Sequence, residues 1–162
     1  MRHLGEGSVK FAAGAYKFTG PCEVAEGATV DLSDAGSVSD AAFSGTGTVL
    51  GGTFAGKTRI VLSDAADDWS GASAPTFDAC SFGGRVIVDF GRTAEDPLDD
   101  PDTSAASVVV AKFVNGTPDV SGWRLKSSST GLRSVGGTFS VDAERGEVRM
   151  APGHVGTILI VQ

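Results

Sequence analysis

The sequence is poor in the residues that build metal sites, disulfide frameworks and hydrolase triads. Its 162 residues include two cysteines, two histidines, six prolines, one tyrosine and one asparagine. Two cysteines are too few for a disulfide framework. Cys22 and Cys80 read first as buried thiols, although a bridge closing a loop of about 58 residues would suit an exported protein. With His3 and His154 they lack the ligand spacing of a zinc site. No apolar run approaches the roughly 20 residues of a membrane span. Basic residues number 13 against 20 acids, a net charge of −7, which argues against a nucleic-acid partner. Few prolines and no Gly-X-Y period exclude collagen. No window of a dozen residues carries a helical apolar stripe free of glycine. What is abundant is glycine, with 23 residues, about twice the usual 7%. Hydrophobic residues make up 41%, enough to bury a core. The chain is acidic, glycine-rich and expected to be all-β.

Short β-type runs fall at residues 9–11, 28–32, 46–50, 58–62, 85–90, 107–113, 122–125, 146–150 and 157–161. Glycine, serine, aspartate or proline separates them, the punctuation of an all-β fold. Gly-Gly-Thr-Phe occurs at 51–54 and again at 136–139. A looser Phe-x-Gly unit recurs at Phe18/Gly20, Phe43/Gly45, Phe54/Gly56 and Phe82/Gly84. Such units suit stacked rungs, in which an apolar side chain sits on its counterpart and glycine turns the corner. The bland alternative is coincidence in a chain rich in both residues.

From Ser107 onward the pattern changes. Val108, Val109 and Val110 are apolar on both faces, Asn115-Gly116 is a turn signal, and residues 141–148 read as a hairpin around a glycine-containing loop. Two regions are therefore expected: 1–106, solenoid-like, and 107–162, an antiparallel or capping segment. Residues 64–102 hold half of the acids against only Arg85 and Arg92. They are read as an acidic surface loop, broken by Pro97 and Pro101.

The string 43–54, rich in glycine and threonine, resembles a rung of the β-helix passenger regions of autotransporter-like bacterial surface proteins. The tail, with Trp123-Arg124-Leu125, Gly136–Phe139 and residues 147–150, resembles the region that ends such a passenger. The resemblance covers about 20–62 and 105–161. It implies a surface or secreted protein with a structural or adhesive role. Two departures stand out. Met1 to Gly7 contains no apolar stretch of the kind a signal peptide needs, so either the protein is cytoplasmic or this is a piece of a longer exported chain, and the second is the expected case. A single asparagine, Asn115, also excludes the asparagine ladder common in parallel β-helices.

Candidate sites are sparse. Trp69, with Asp67 and Asp68, sits in a polar stretch and is the candidate carbohydrate platform; the alternative is a loop anchor. Asp96, Asp99, Asp100 and Asp102 supply the oxygens calcium prefers. They lack EF-hand spacing, and a solvated acidic loop explains them as well. No other cofactor is expected. A Ser–His–Asp triad finds no positioned histidine. Asp31 and Asp89 are the acids a glycosidase or lyase would draw on, yet alternation along 85–90 places Arg85 and Asp89 on the solvent side. Residues 45–50 lack the third glycine of a nucleotide loop.

The expected fold is a short parallel β-solenoid with an antiparallel or capping C-terminal segment, with a β-sandwich as the alternative. The expected function is a non-enzymatic structural or adhesive module, extracellular or at the cell surface, displaying loops on a rigid scaffold. Carbohydrate binding is the alternative, and a polysaccharide lyase or glycosidase the second. Its partner would be a surface glycan or a host or cell-surface protein, and exposed sheet edges would favour self-association.

Overall fold

Short apolar–polar alternations interrupted by glycine can bury one face by stacking on copies of themselves. The computed structural model describes residues 2–3, 6–62, 73–93, 95–96, 107–126 and 135–154, and these form seventeen strands and no helix. The first pass of the chain contributes β1 (Arg2–His3), β2 (Gly7–Lys10) and β3 (Ala15–Tyr16). The second gives β4 (Cys22–Val24), β5 (Ala28–Asp31) and β6 (Ser37–Val38). The third gives β7 (Ala41–Ser44), β8 (Thr48–Leu50) and β9 (Thr53–Phe54), and the fourth β10 (Thr58–Val61), β11 (Thr76–Asp78) and β12 (Ser81–Phe82). Then come β13 (Val86–Asp89), β14 (Val108–Val114), β15 (Arg124–Leu125), β16 (Val135–Asp142) and β17 (Glu147–His154).

As far as β16, consecutive strands go to different sheets. The first sheet runs β1-β4-β7-β10-β13-β15, the second β2-β5-β8-β11-β14 and then β17-β16, and the third β3-β6-β9-β12. Every pairing is parallel except those of β17 with β14 and β16. A sandwich would instead hydrogen-bond neighbours in sequence as antiparallel pairs. The arrangement is three mostly parallel sheets, consistent with a parallel β-helix.

Register stacks like on like. Val30, Val49, Phe77 and Phe113 form one column of the second sheet, and Cys22, Phe43, Ile60 and Val88 one column of the first. All eight side chains are buried. Their rings join a longer series through Phe11, Phe18, Phe43, Phe54, Phe77, Phe82, Phe113, Trp123 and Phe139, with centroids 5.1–6.2 Å apart. Each pair adds about 0.5–1.5 kcal/mol beyond its buried area. Trp123 lies in the core, 2% exposed.

The corners repeat as geometry more than as sequence. Gly51, Ala79 and Asn115 follow aligned positions of β8, β11 and β14, and each has a left-handed φ, of 68°, 53° and 52°. One backbone corner thus recurs in three passes with three different residues. Of the Phe-x-Gly units, Phe54/Gly56 and Phe82/Gly84 are aligned, their rings stacked 5.2 Å apart. Phe18/Gly20 lies at the same type of corner, between β3 and β4, but two positions out of register, and Phe43/Gly45 lies at the corner between the first and second sheets. The two Gly-Gly-Thr-Phe copies differ as well: 51–54 turns a corner into β9, whereas 136–139 lies inside the antiparallel β16.

Three expectations are corrected. The stretch 64–102 is not one surface loop, because β11, β12 and β13 lie within it and place Phe77, Val86 and Val88 in the core. Its acids misled because Asp78 and Asp89 end strands whose inward positions, Phe77, Val86 and Val88, are apolar and buried. Parallel pairing also runs past residue 106, through β14 and β15, so antiparallel structure begins only at the β16–β17 hairpin. Asp89 is not solvent-facing: it follows the outward alternation but is 3% exposed.

A Cβ at Gly84 would stand 1.8 Å from the Gly56 carbonyl oxygen, while one at Gly122 meets nothing within 4 Å. Gly84→Ala is therefore expected to cost about 1–3 kcal/mol, and Gly122→Ala to stay within about 0.5 kcal/mol. Urea unfolding midpoints of the two variants check this; equal midpoints would remove the close-packed corner from the account.

Candidate functional site

The outward face of the first sheet collects the clearest polar constellation. Alternation turns Cys22, Phe43, Ile60 and Val88 inward, so Arg59 on β10 and Asp89 on β13 project the other way. Asp89 Oδ1 accepts from the Gly91 amide at 2.9 Å, which closes the turn after β13. Its Oδ2 accepts from Lys126 Nζ at 2.8 Å and stands 3.9 Å from Arg59 Nη1. A buried carboxylate requires such compensation, since leaving it unpaired is strongly unfavourable. The Lys126 side chain is 38% exposed, so this pair is partly solvated.

A groove of about 290 Å³ lies along one margin of this face, lined among others by Lys17, Phe18, Asp40, Ala42, Lys57 and Arg59. It forms where the chain leaves the third sheet and enters the first. Asp40 accepts from Lys17 Nζ at 3.1 Å and from the Lys57 amide at 3.2 Å. The hydrogen bond from Lys17, then that from the Lys57 backbone, holds the Asp40 carboxyl below the usual aspartate range. Arg59 Nε is buried and has no hydrogen-bond partner among the described residues. A second hollow, of about 430 Å³ and lined by Glu23, Ser44, Thr46, Val61 and Ser73, lies along the other margin.

The residues singled out in the sequence lie elsewhere. Trp69, Asp67, Asp68, Asp99, Asp100 and Asp102 are outside the described residues. Asp96 is exposed and pairs with Arg92 at 3.0 Å, within a turn closed by hydrogen bonds between residues 93 and 96. Among the described residues no cluster of three or more His, Cys, Asp or Glu side chains is placed to hold a metal. Asp31 and Asp89 do not form a carboxylate pair, because β5 belongs to the second sheet and β13 to the first. Asp31 instead accepts from the hydroxyl and amide of Ser33, which lower its pKa, and lies 3.8 Å from Lys10. Lys17, Lys57 and Arg59 were not legible as a site, since they are spread over 43 positions of sequence. Their one signal is that each follows an apolar strand or corner by a single position or sits within it.

Both cysteines are free thiols. Cys22 is buried in the first sheet, and burial raises its pKa. Cys80 donates to the Gly51 carbonyl at 2.9 Å and is pushed up to about 12, chiefly by burial and then by Asp78. Thiolate is the reactive form.

Two outcomes are expected. Neither cysteine of the native protein reacts with an aromatic disulfide reagent near pH 8, where an ordinary thiol with a pKa of about 8.5 does; both react once the chain is denatured. Rapid reaction of the native protein would contradict the burial, and no reaction after denaturation would mean that the two are bridged. Asp89→Ala is expected to lower stability by about 1–3 kcal/mol, since Gly91 and Lys126 lose their acceptor. Asp89→Asn should cost less, because it keeps an acceptor for Gly91; urea midpoints of the two variants compare them.

No protein-family model matches the chain, and neither a curated protein nor a solved structure matches it significantly.

Proposed function

We propose that this chain is a segment of a parallel β-solenoid that serves as a non-enzymatic structural and adhesive module, at the cell surface or secreted, as part of a longer exported chain. The observation that carries the reading is one continuous core from Phe11 to Phe139, in which rings pack through the first, third and later passes and Cys22, Val24, Val30, Leu32 and Val38 fill the second. A core of this kind suits a rod. Each rung needs only its neighbours, so length can be added by repetition and the outward faces and loops are left for contact. The resemblance to autotransporter-like passenger regions supports the same reading. It supplies a mechanism of rigid display, in which the scaffold pays no reorganisation cost when a loop or face meets its partner.

The test is antibody labelling of intact cells of the source organism, together with assay of the purified protein on a polysaccharide panel. Labelling of unpermeabilised cells or of the culture medium, with no product released from any polysaccharide, is the expected result. Labelling only after permeabilisation would overturn the surface reading. Product release abolished by Asp31→Asn or Asp89→Asn would replace the scaffold with an enzyme. Glycan binding lost in Trp69→Ala would move the contact to the segment around residue 69.

A further inference from the structure

Opposite charges on an exposed surface usually intermix, so a local excess of cations in a chain of net charge −7 calls for a physical explanation. The groove beside the first sheet brings together Lys17, Lys57 and Arg59 against Asp40 alone. Lys17 is committed to Asp40 at 3.1 Å. Lys57 forms no ion pair with a described residue, and its backbone amide, not its ammonium, meets Asp40. Arg59 is under-satisfied in a stronger sense. Among the described residues its one carboxylate neighbour, Asp89, stands at 3.9 Å and its Nε has no partner, and its side chain is 39% exposed. Asp89 is itself held by Lys126 at 2.8 Å and by the Gly91 amide. A planar guanidinium left in this state beside an ammonium with no ion pair among the described residues matches a carboxylate, which it binds through two parallel N–H···O bonds.

We propose that this groove is a binding site for a carboxylate-bearing saccharide unit, a uronate or a sialate, with Arg59 and Lys57 taking the carboxylate. Three features select a sugar acid over a bare anion. The groove's volume of about 290 Å³ lies at the lower end of the ~300–1,000 Å³ of small-ligand sites, which fits about one ring. Phe18 and Ala42 give it an apolar wall, suited to the C–H face of a sugar. Asp40 keeps unused acceptor positions for hydroxyl donors after meeting Lys17 and Lys57, since an ionised carboxylate offers about four lone-pair sites. The same negative charge disfavours a doubly charged phosphate. The site deepens the adhesive reading by naming its ligand class, yet it stands on the groove alone.

The experiment is titration calorimetry of the purified full chain with four probes: a glucuronate-terminated trisaccharide, a sialyl-terminated trisaccharide, a neutral glucose trisaccharide and inorganic phosphate. At least one acidic saccharide is expected to bind, and to do so at least about tenfold more tightly than the neutral one and phosphate, because only it satisfies Arg59 and Asp40 together. Which of the two acidic probes binds more tightly identifies the source. Arg59→Gln and Lys57→Gln should each weaken that binding by about tenfold, Arg59→Lys should fail to restore it, and Lys112→Gln, the same charge change on β14, should leave it unchanged. Lys57→Gln keeps the test decisive if Arg59 variants do not fold. Equal binding of the neutral sugar or of phosphate overturns the proposal, as does acidic binding indifferent to Arg59 and Lys57, or no binding at all. Any of these with the chain still on intact cells removes this site and leaves the scaffold standing; acidic-sugar binding by a chain confined to the cytoplasm does the reverse.

Discussion

Ring-to-ring packing along the axis of the three sheets is the interaction on which the rest of this structure depends. Eight of the nine phenylalanines, with Tyr16 and Trp123, belong to one connected series. Strands of two to four residues bring few ladder hydrogen bonds each and cannot hold a register alone. Buried rings on most passes, standing on Cys22 and Val30 where the second pass has none, supply the missing specification. A slip of one residue would turn the strand-borne rings to the solvent. With a single asparagine in the chain, stacked asparagine side chains cannot serve this purpose, and phenylalanine takes the stacking role.

Interior stacking dictates what the corners must be. Passes that lie one strand spacing apart bring backbone against backbone at each corner, and a side chain is tolerated only where the corner opens outward. Gly56 and Gly84 face the carbonyls of Ser39 and Gly56 at distances no Cβ could occupy. Where the constraint is a dihedral angle and not a contact, it is looser. The left-handed corner after β8, β11 and β14 accepts glycine, alanine and asparagine in turn, at a cost of roughly 1–2 kcal/mol for a residue with a Cβ. Asn115 offsets part of that by donating to Asp78 Oδ1 at 2.9 Å across to the neighbouring pass.

The outward surface follows from the same alternation. Inward positions are spent on the core, so the polar residues of one pass stand above those of the next, and charges far apart in sequence meet. Asp89 and Lys126 are 37 positions apart and make one of the shorter ion pairs of the structure. Lys17, Lys57 and Arg59 share a groove although two full passes separate the first from the others. A surface built this way gathers a polar group from each pass without any local motif.

Much of the β content was legible from residues alone. The runs at 28–32, 58–62 and 85–90 each hold a strand, β5, β10 and β13, because they are rich in β-branched residues and every second side chain is buried. The third sheet was not legible: β3, β6, β9 and β12 have two residues each, too few for a period to be seen. Nor was the acidic segment, where composition pointed to a loop while Phe77, Phe82, Val86 and Val88 carried the core through it. By itself the sequence determined an acidic, glycine-rich, all-β chain with rung-like punctuation, since these follow from local propensity and alternation. Tertiary structure alone decided which phenylalanines stack, that parallel pairing continues to β15, that Asp89 is buried, and that Lys17, Lys57 and Arg59 converge. Each of those depends on the register between passes, and register is a property of the stack that no single stretch of chain contains.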